Sequence, residues 1–351
     1  MYNSCQVPGC SGERSAGRDE CCGFMQWETR SATSPFGGLM DLRCAFINCQ
    51  DLFQPGTVAN RGPQSPDEMD AKLGALAETL KDAAGSCPDL VGLCEVGDEA
   101  VGKELAEAIA PGYYECVWSG PPPAKNSFGL MVLFRRDVFT QEQEKWVEYR
   151  RGPRQRNRAM AVPLYHAPSP SQLQGGLLWF AVSHWEAPSR GTPIESDHFQ
   201  SWMSLSGFCR DLVFGDDTPL ILVGDFNCEP WDAPFVNQSG DALETTRERR
   251  LVLDRRRHGS FLYNPMWRLA VEMEPFEETL ADGFFAPHHH RLGTWNDEEG
   301  RWRMFDQLIV TRPLLDGSYL QLQEGTVRIV PARDGCSDHR AVGASFRVLE
   351  E

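Results

Sequence analysis

The chain has 351 residues, of which 41% are hydrophobic, enough for a substantial core in one large domain or two small ones. It carries 50 Asp and Glu against 34 Lys and Arg, a formal net charge of −16, which argues against a protein that coats nucleic acid non-specifically but leaves room for an enzyme with a bound cation and a local basic cleft. No apolar run is long enough to span a membrane, and the N-terminus (MYNSCQVPGC) has no hydrophobic signal core, so a cytoplasmic location is expected.

Met1 to Gly38 is rich in Gly, Ser and charge and shows no sustained period, and residues 1–40 read as a flexible leader. Its Cys5, Cys10, Cys21 and Cys22 match no standard zinc spacing. Cys44, Cys49, Cys87, Cys94, Cys116 and Cys209 sit in or beside apolar runs and are expected as small buried side chains. Leu42 to Asn48 is the first predicted strand. After a Pro- and Gly-rich loop, Met69, Leu73, Leu76, Leu80 and Ala83 recur at helical spacing. A strand over Asp89 to Glu95 follows, then a helix near Asp98 to Ala110 that turns Val101, Leu105, Ala108 and Ile109 inward. GDEAVGK, between these two, copies part of a P-loop, but Glu104 stands where Ser or Thr is needed, and Asp98 and Glu99 would meet the phosphates.

Five strands are predicted next: Tyr113 to Trp118, Gly129 to Arg135, Lys145 to Arg150, Arg158 to Tyr165 and Leu177 to His184. A third helix covers Ile194 to Phe214. Residues 237–300 show no clear regularity; they hold the arginine run from Arg247 to Arg257 and, in a predicted loop, His288, His289 and His290. Closing strands are Arg303 to Thr311, Thr326 to Val330 and Ala341 to Val348. The order of elements suggests two packed β-sheets with helices outside.

The stretch PLILVGDFNCEP, Pro219 to Pro230, joins a buried strand to a polar end. Gly224 is expected to end the apolar run where the backbone turns. Asp225 and Asn227 then form either a catalytic edge, one exchanging a proton and the other steering a polar substrate, or a simple Asx turn. Other predicted strand ends also carry polar groups: Asn48, Glu95, His184, Asp306, and Asp338 with His339. Their recurrence suggests that several strand ends converge on one site.

INCQDLF, LCEV, SHWEAPS, VGDFN, MFDQLIV and CSDHRAV, taken in this order, resemble the motifs of the endonuclease/exonuclease/phosphatase family, whose members include pancreatic-type deoxyribonucleases and inositol-polyphosphate 5-phosphatases. The resemblance covers about Asp41 to Val348. It implies a four-layered α/β sandwich over 41–351, with an irregular insert at about 237–300, and a phosphate ester hydrolysed with a divalent ion, Mg²⁺ or Mn²⁺. By resemblance Glu95 and Asp338 are the cation ligands, with Asn48 beside them. Asp306 would orient His339, which would stabilise phosphoryl oxygens or act as base. Asp225 would position or deprotonate the attacking water. Asn227 and His184 would hold the phosphate, and Arg158 (RNRAMAVPL) would face it. The pancreatic enzymes also carry a Glu supporting the residue that matches His184; FGLMVLFR, Phe128 to Arg135, has no acid there. The expected activity is a phosphodiester hydrolase with nucleic acid as the leading substrate. The alternatives are a phosphatase or phosphodiesterase for a small or lipid-linked phosphate, and a non-catalytic binding protein that keeps the fold.

Overall fold

In the computed structural model the described residues are 41–120, 128–141, 147–151, 156–166, 176–187, 194–213, 218–236, 243–254, 261–270, 273–279, 285–291, 293–296, 301–317 and 319–349. The predicted leader with its four cysteines lies outside them. In chain order the first elements are β1 (Asp41–Leu52), α1 (Pro66–Ala84), β2 (Leu90–Val96), α2 (Glu99–Ile109), β3 (Tyr114–Trp118), β4 (Gly129–Arg135), β5 (Phe139–Gln141), β6 (Val147–Arg151), β7 (Arg156–His166) and β8 (Leu177–His184). There follow α3 (Ile194–Val213), β9 (Leu220–Asp225), α4 (Ala233–Val236), β10 (Glu244–Thr246), α5 (Arg249–Leu253), β11 (Phe261–Tyr263), α6 (Met266–Leu269), β12 (Met273–Thr279) and β13 (Phe285–Arg291). The chain closes with β14 (Trp295–Asn296), β15 (Trp302–Arg303), β16 (Asp306–Val310), α7 (Pro313–Asp316), β17 (Leu320–Leu322), β18 (Arg328–Val330) and β19 (Ala341–Val348).

The first main sheet runs β17-β19-β1-β2-β4-β3, with β18 also on β19; the second runs β10-β11-β16-β9-β8-β7-β5, with β6 also on β7. Their facing sides share one core that includes Phe46, Val132, Phe180, Val182, Val223 and Leu308. Buried side chains of this size stabilise the fold by roughly 1.5–3 kcal/mol each. Outside the first sheet, α1 and α2 bury Leu73, Leu76, Leu80, Val101 and Leu105 against Ile47, Leu93 and Leu133. Outside the second, Trp202, Leu205 and Cys209 of α3 and Phe235 of α4 cover Ala181, Leu222 and Ile309. The result is the expected four-layered α/β sandwich.

Local chemistry sets the helix limits. Ser65 caps α1 by accepting the Glu68 N–H at 3.3 Å, Pro66 opens its first turn, and Gly85 ends it in the left-handed region (φ 77°). Asp98 caps α2 through the Val101 N–H at 2.9 Å, so GDEAVGK is an ordinary strand-to-helix turn. The buried stripe of α2 is Val101, Leu105, Ala106 and Ile109. Ala108, expected inside, lies at the edge of that stripe and faces solvent.

Other expectations change as well. Cys87 and Cys116 are only half-buried, whereas Cys44, Cys49, Cys94 and Cys209 are buried. Gly224 is not a turn but an interior residue of β9. A Cβ there would lie 2.3 Å from the Ser183 carbonyl oxygen, so glycine is required by close approach to β8. The backbone turns later, at Asn227 (φ 49°). Within 237–300, β10 and β11 extend the second sheet, and β12 pairs antiparallel with β13, placing His288, His289 and His290 on a strand rather than in a loop.

Of the three parallel pairs among the described residues, two organise the sandwich: β1 with β2, joined through α1, and β8 with β9, joined through α3; the third is the short pair β10 and β11. Parallel strands end on the same side. In both sheets these carboxyl ends carry the polar residues, the usual place for a site in an open α/β sheet.

Candidate active site

Bulges shape the first sheet's contribution. The β1–β2 register shifts between Asn48 and Leu52, where Gln50 (φ 44°) and Asp51 (φ 57°) are left-handed. The β2–β4 register shifts between Leu93 and Val96, where Glu95 (φ 58°) is left-handed. Such conformations cost non-glycine residues on the order of 1–3 kcal/mol each where side chain and surroundings are unfavourable. They are held by the contacts they create. The Asp51 N–H donates to Glu95 Oε2 at 3.1 Å, and the Gln50 N–H to Asn48 Oδ1 at 2.9 Å. Burial raises the Glu95 pKa above its ordinary range.

The second sheet contributes a row. In register, His184 on β8 is beside Asp225 on β9, and Asp225 is opposite Asp306 on β16. The two rows meet at Asn48, whose Nδ2 donates to Asp225 Oδ2 at 3.0 Å and to Glu95 Oε1 at 3.3 Å. His184 Nε2 stands 3.7 Å from both Glu95 Oε1 and Asp225 Oδ2. This histidine therefore faces two carboxylates from other strands, both beyond hydrogen-bond distance. Burial raises the Asp225 pKa, and His339 partly offsets this.

His339 comes from the segment entering β19. Its Nδ1 is 2.8 Å from Asp306 Oδ2, the geometry of an N–H donated to a buried carboxylate, and its Nε2 is 3.8 Å from Asp225 Oδ2. Burial opposes the imidazolium, but Asp306 and Asp225 outweigh it and lift the pKa to about 10. Asp306 Oδ1 is buried without a hydrogen-bond partner among the described residues, so His339 is the main counterweight to that carboxylate. Asp338 differs from the others: its side chain is 49% exposed, Oδ2 accepts from Trp295 Nε1 at 3.3 Å, and its N–H donates to Gln50 Oε1 at 2.9 Å.

Asn227 is buried behind the row. Its N–H donates to Asp225 Oδ1 at 3.0 Å and its Nδ2 to the Trp185 carbonyl at 3.0 Å. It thus makes the Asx contact of the simple turn and also fixes the Asp225 carboxylate. Arg158 lies on β7 directly before Ala159, the partner of Ser183, so its backbone is beside the strand end that bears His184. Its side chain is outside the described residues.

Several supporting residues escaped the sequence reading. Ser337 Oγ donates to the Asn48 carbonyl at 2.7 Å and accepts the His339 N–H at 3.0 Å, tying β1 to the segment that enters β19. Thr294 Oγ1 accepts the Asp306 N–H at 2.9 Å. Trp185 is boxed by His198, Trp202, Phe226 and Phe235. Ser337 and Trp185 lie inside CSDHRAV and SHWEAPS, so proximity to a motif was the available signal; Thr294 had none.

One set of donor atoms is drawn together among the described residues. Asp225, Asp306 and His339 have ligand atoms within 4.8 Å of one another, but His339 Nδ1 and Asp306 Oδ2 are already bonded to each other. Asn48, Glu95 and Asp338 offer hard oxygens, one of them on an exposed carboxylate, as suits an ion that keeps several waters.

The profile of the Endonuclease/Exonuclease/phosphatase family matches residues 47–339. Among solved structures, the human Nocturnin catalytic domain with bound sulfate aligns with a TM-score of 0.55 at 18% identity, covering 88% of this chain and 95% of that one. D. rerio TDP2 complexed with single-strand DNA product gives 0.54 at 13% identity, covering 88% and 99%. The Bacteroides thetaiotaomicron mannosyl-6-phosphatase Bt3783 gives 0.50 at 14% identity, covering 87% and 99%. A comparison with curated protein sequences gave no significant match.

Proposed function

The chain belongs to the endonuclease/exonuclease/phosphatase family of phosphoric-ester hydrolases, and from that premise we propose that it is a Mg²⁺- or Mn²⁺-dependent phosphodiesterase acting on nucleic acid. The observation that carries the reading is the junction at Asn48, whose amide links Glu95 of one sheet to Asp225 of the other. Glu95 and Asp338, with Asn48 beside them, would hold the cation, which supplies Lewis-acid polarisation of a phosphoryl oxygen.

The remaining residues have separable tasks. Asp225 Oδ2, fixed by Asn48 and lying between His184 and His339, accepts a hydrogen bond from the attacking water and draws off its proton. Burial raises its pKa and so strengthens it as a base. Asn227 holds the other carboxylate oxygen, so the acceptor points one way. His339, kept protonated by Asp306, presents Nε2–H to phosphoryl oxygens as negative charge builds there. His184, beside Asp225 on the neighbouring strand, would bind the same group.

One observation favours a second reading. The net charge of −16 recruits long polyanions poorly, and one similar fold is a sugar phosphatase. A single panel separates the two: single- and double-stranded DNA, RNA, an aryl phosphodiester and an aryl phosphomonoester, each with Mg²⁺, Mn²⁺ or chelator and with Asp225→Ala as blank. Cation-dependent cleavage of a polynucleotide supports the proposal. Turnover of the monoester alone replaces it with the phosphatase, and no turnover at all leaves a binding protein.

A further inference from the structure

Lys72 lies on α1, outside the first sheet, yet its Nζ donates to the Gln50 carbonyl. It is half-buried, and burial pulls its pKa below the ordinary lysine value. A desolvated ammonium is an unfavourable way to fill space that an apolar side chain would fill better. Its presence calls for a reason in what it holds.

What it holds is the left-handed turn Gln50–Asp51. That turn makes three contacts with the candidate cation corner. The Gln50 N–H bonds Asn48 Oδ1, Gln50 Oε1 accepts the Asp338 N–H, and the Asp51 N–H bonds Glu95 Oε2. All three candidate ligands therefore hang on two strained residues. Arg61 pairs with Asp51 from the solvent side, whereas Lys72 grips the turn from the helix side. The charged groups about the turn are Lys72, Arg61, Asp51 and Glu95.

We propose that Lys72 is a positioning residue for the cation: by gripping the Gln50 carbonyl it keeps the Gln50–Asp51 turn left-handed and so holds Asn48, Glu95 and Asp338 in ligating order. Lys72 reaches none of the three ligands through a hydrogen bond of its own; it acts through the turn. The inference rests on reading those three residues as the ligand set.

Mn²⁺ titration followed by electron paramagnetic resonance, without substrate, tests it in the whole chain. Lys72→Met is expected to weaken Mn²⁺ binding about tenfold or more, at a temperature where circular dichroism shows it folded. Lys72→Arg, which keeps a cationic donor, should recover part of that loss. In turnover assays the cation requirement should rise while the substrate KM stays within about twofold. If Lys72→Met does not fold, Lys72→Gln replaces it, because it keeps a polar head and removes the charge. Wild-type Mn²⁺ affinity in a folded neutral variant overturns the role of Lys72 alone. No Mn²⁺ binding by the wild type, or unchanged binding in Glu95→Gln, overturns the ligand reading on which the inference stands.

Discussion

Asp225 and Asp306 stand directly opposite each other on neighbouring strands, both buried. Like charges in that position repel. The pair is tolerated because His339 contacts one carboxylate at 2.8 Å and the other at 3.8 Å. One imidazolium thus serves two carboxylates, one on each of two neighbouring strands.

This arrangement predicts a pH dependence of stability. The His339 pKa is raised from 6.5 to about 10, so the folded state retains a proton that the unfolded chain releases. The stabilisation is complete below about pH 6.5 and disappears as pH rises through about 10. Cation-free wild type should therefore lose stability across this window more steeply than His339→Gln, by up to ~1.4 kcal/mol per pH unit. Thermal melts of both proteins from pH 6 to 10 measure it, and parallel slopes would contradict it.

Asp306→Asn keeps the shape of the side chain but removes the charge that holds Nδ1–H. His339 should then fall in pKa and lose its orientation. The expected result is a kcat lower by about 10²–10⁴ with KM changed only a few-fold, as for loss of a proton-handling group. Steady-state kinetics checks it; an equal loss in KM would make Asp306 a binding residue instead.

Asp225→Asn separates stability from activity. Burial raises the Asp225 pKa, so ionising this side chain costs more in the fold than in the unfolded chain. The amide removes a buried charge but faces one of the two donors, Asn48 Nδ2 or the Asn227 N–H, with its own NH2, so Tm should fall by no more than a few degrees while kcat/KM falls by at least about 10². A Tm drop comparable to that of a core deletion would mean that the carboxylate is structural.

Cation binding should stabilise the fold by mass action. At a Mn²⁺ concentration about 100 times Kd, the gain is ~2.7 kcal/mol, seen as a rise in Tm that chelator reverses. Glu95→Gln should abolish most of that rise. A full rise in this variant would move the ion to the Asp225, Asp306 and His339 group.

The exposed side chains of Arg247 and Arg250 offer a test of substrate class. If a polynucleotide runs over them, Arg247→Glu with Arg250→Glu should weaken binding about equally for all sequences. It should also flatten the slope of log affinity against log salt by about 0.7–0.9 per lost phosphate contact. Unchanged affinity and slope would remove this surface from the binding path.

Much of the sandwich was legible because its long strands and helices carry strong periods. Met69, Leu73, Leu76, Leu80 and Ala83 are all buried on one face of α1. The polar strand ends were legible for a different reason: Asn48, Glu95, Asp225 and Asp306 interrupt apolar runs, where a polar group needs a partner. What stayed hidden depends on distance in sequence. Nothing local in Lys72 points to Gln50, and nothing in Thr294 points to Asp306. The three-residue strands β10 and β11 are too short to show a period. At Gly224 a steric demand from β8 has the same sequence signature as a turn.

β19 lies inside its sheet, between β17 and β1, with Arg347 paired to Asp41. The residues just before it are Ser337, Asp338 and His339. During synthesis on a ribosome, β1 would emerge early and wait with its partner edge open until β19 is made. Only when that late strand slides into the gap does His339 arrive between the two aspartates. Closure of the sheet and completion of the proposed site should therefore coincide: a nascent chain arrested before Ser337 would lack both the strand that fills the gap and the histidine between the aspartates.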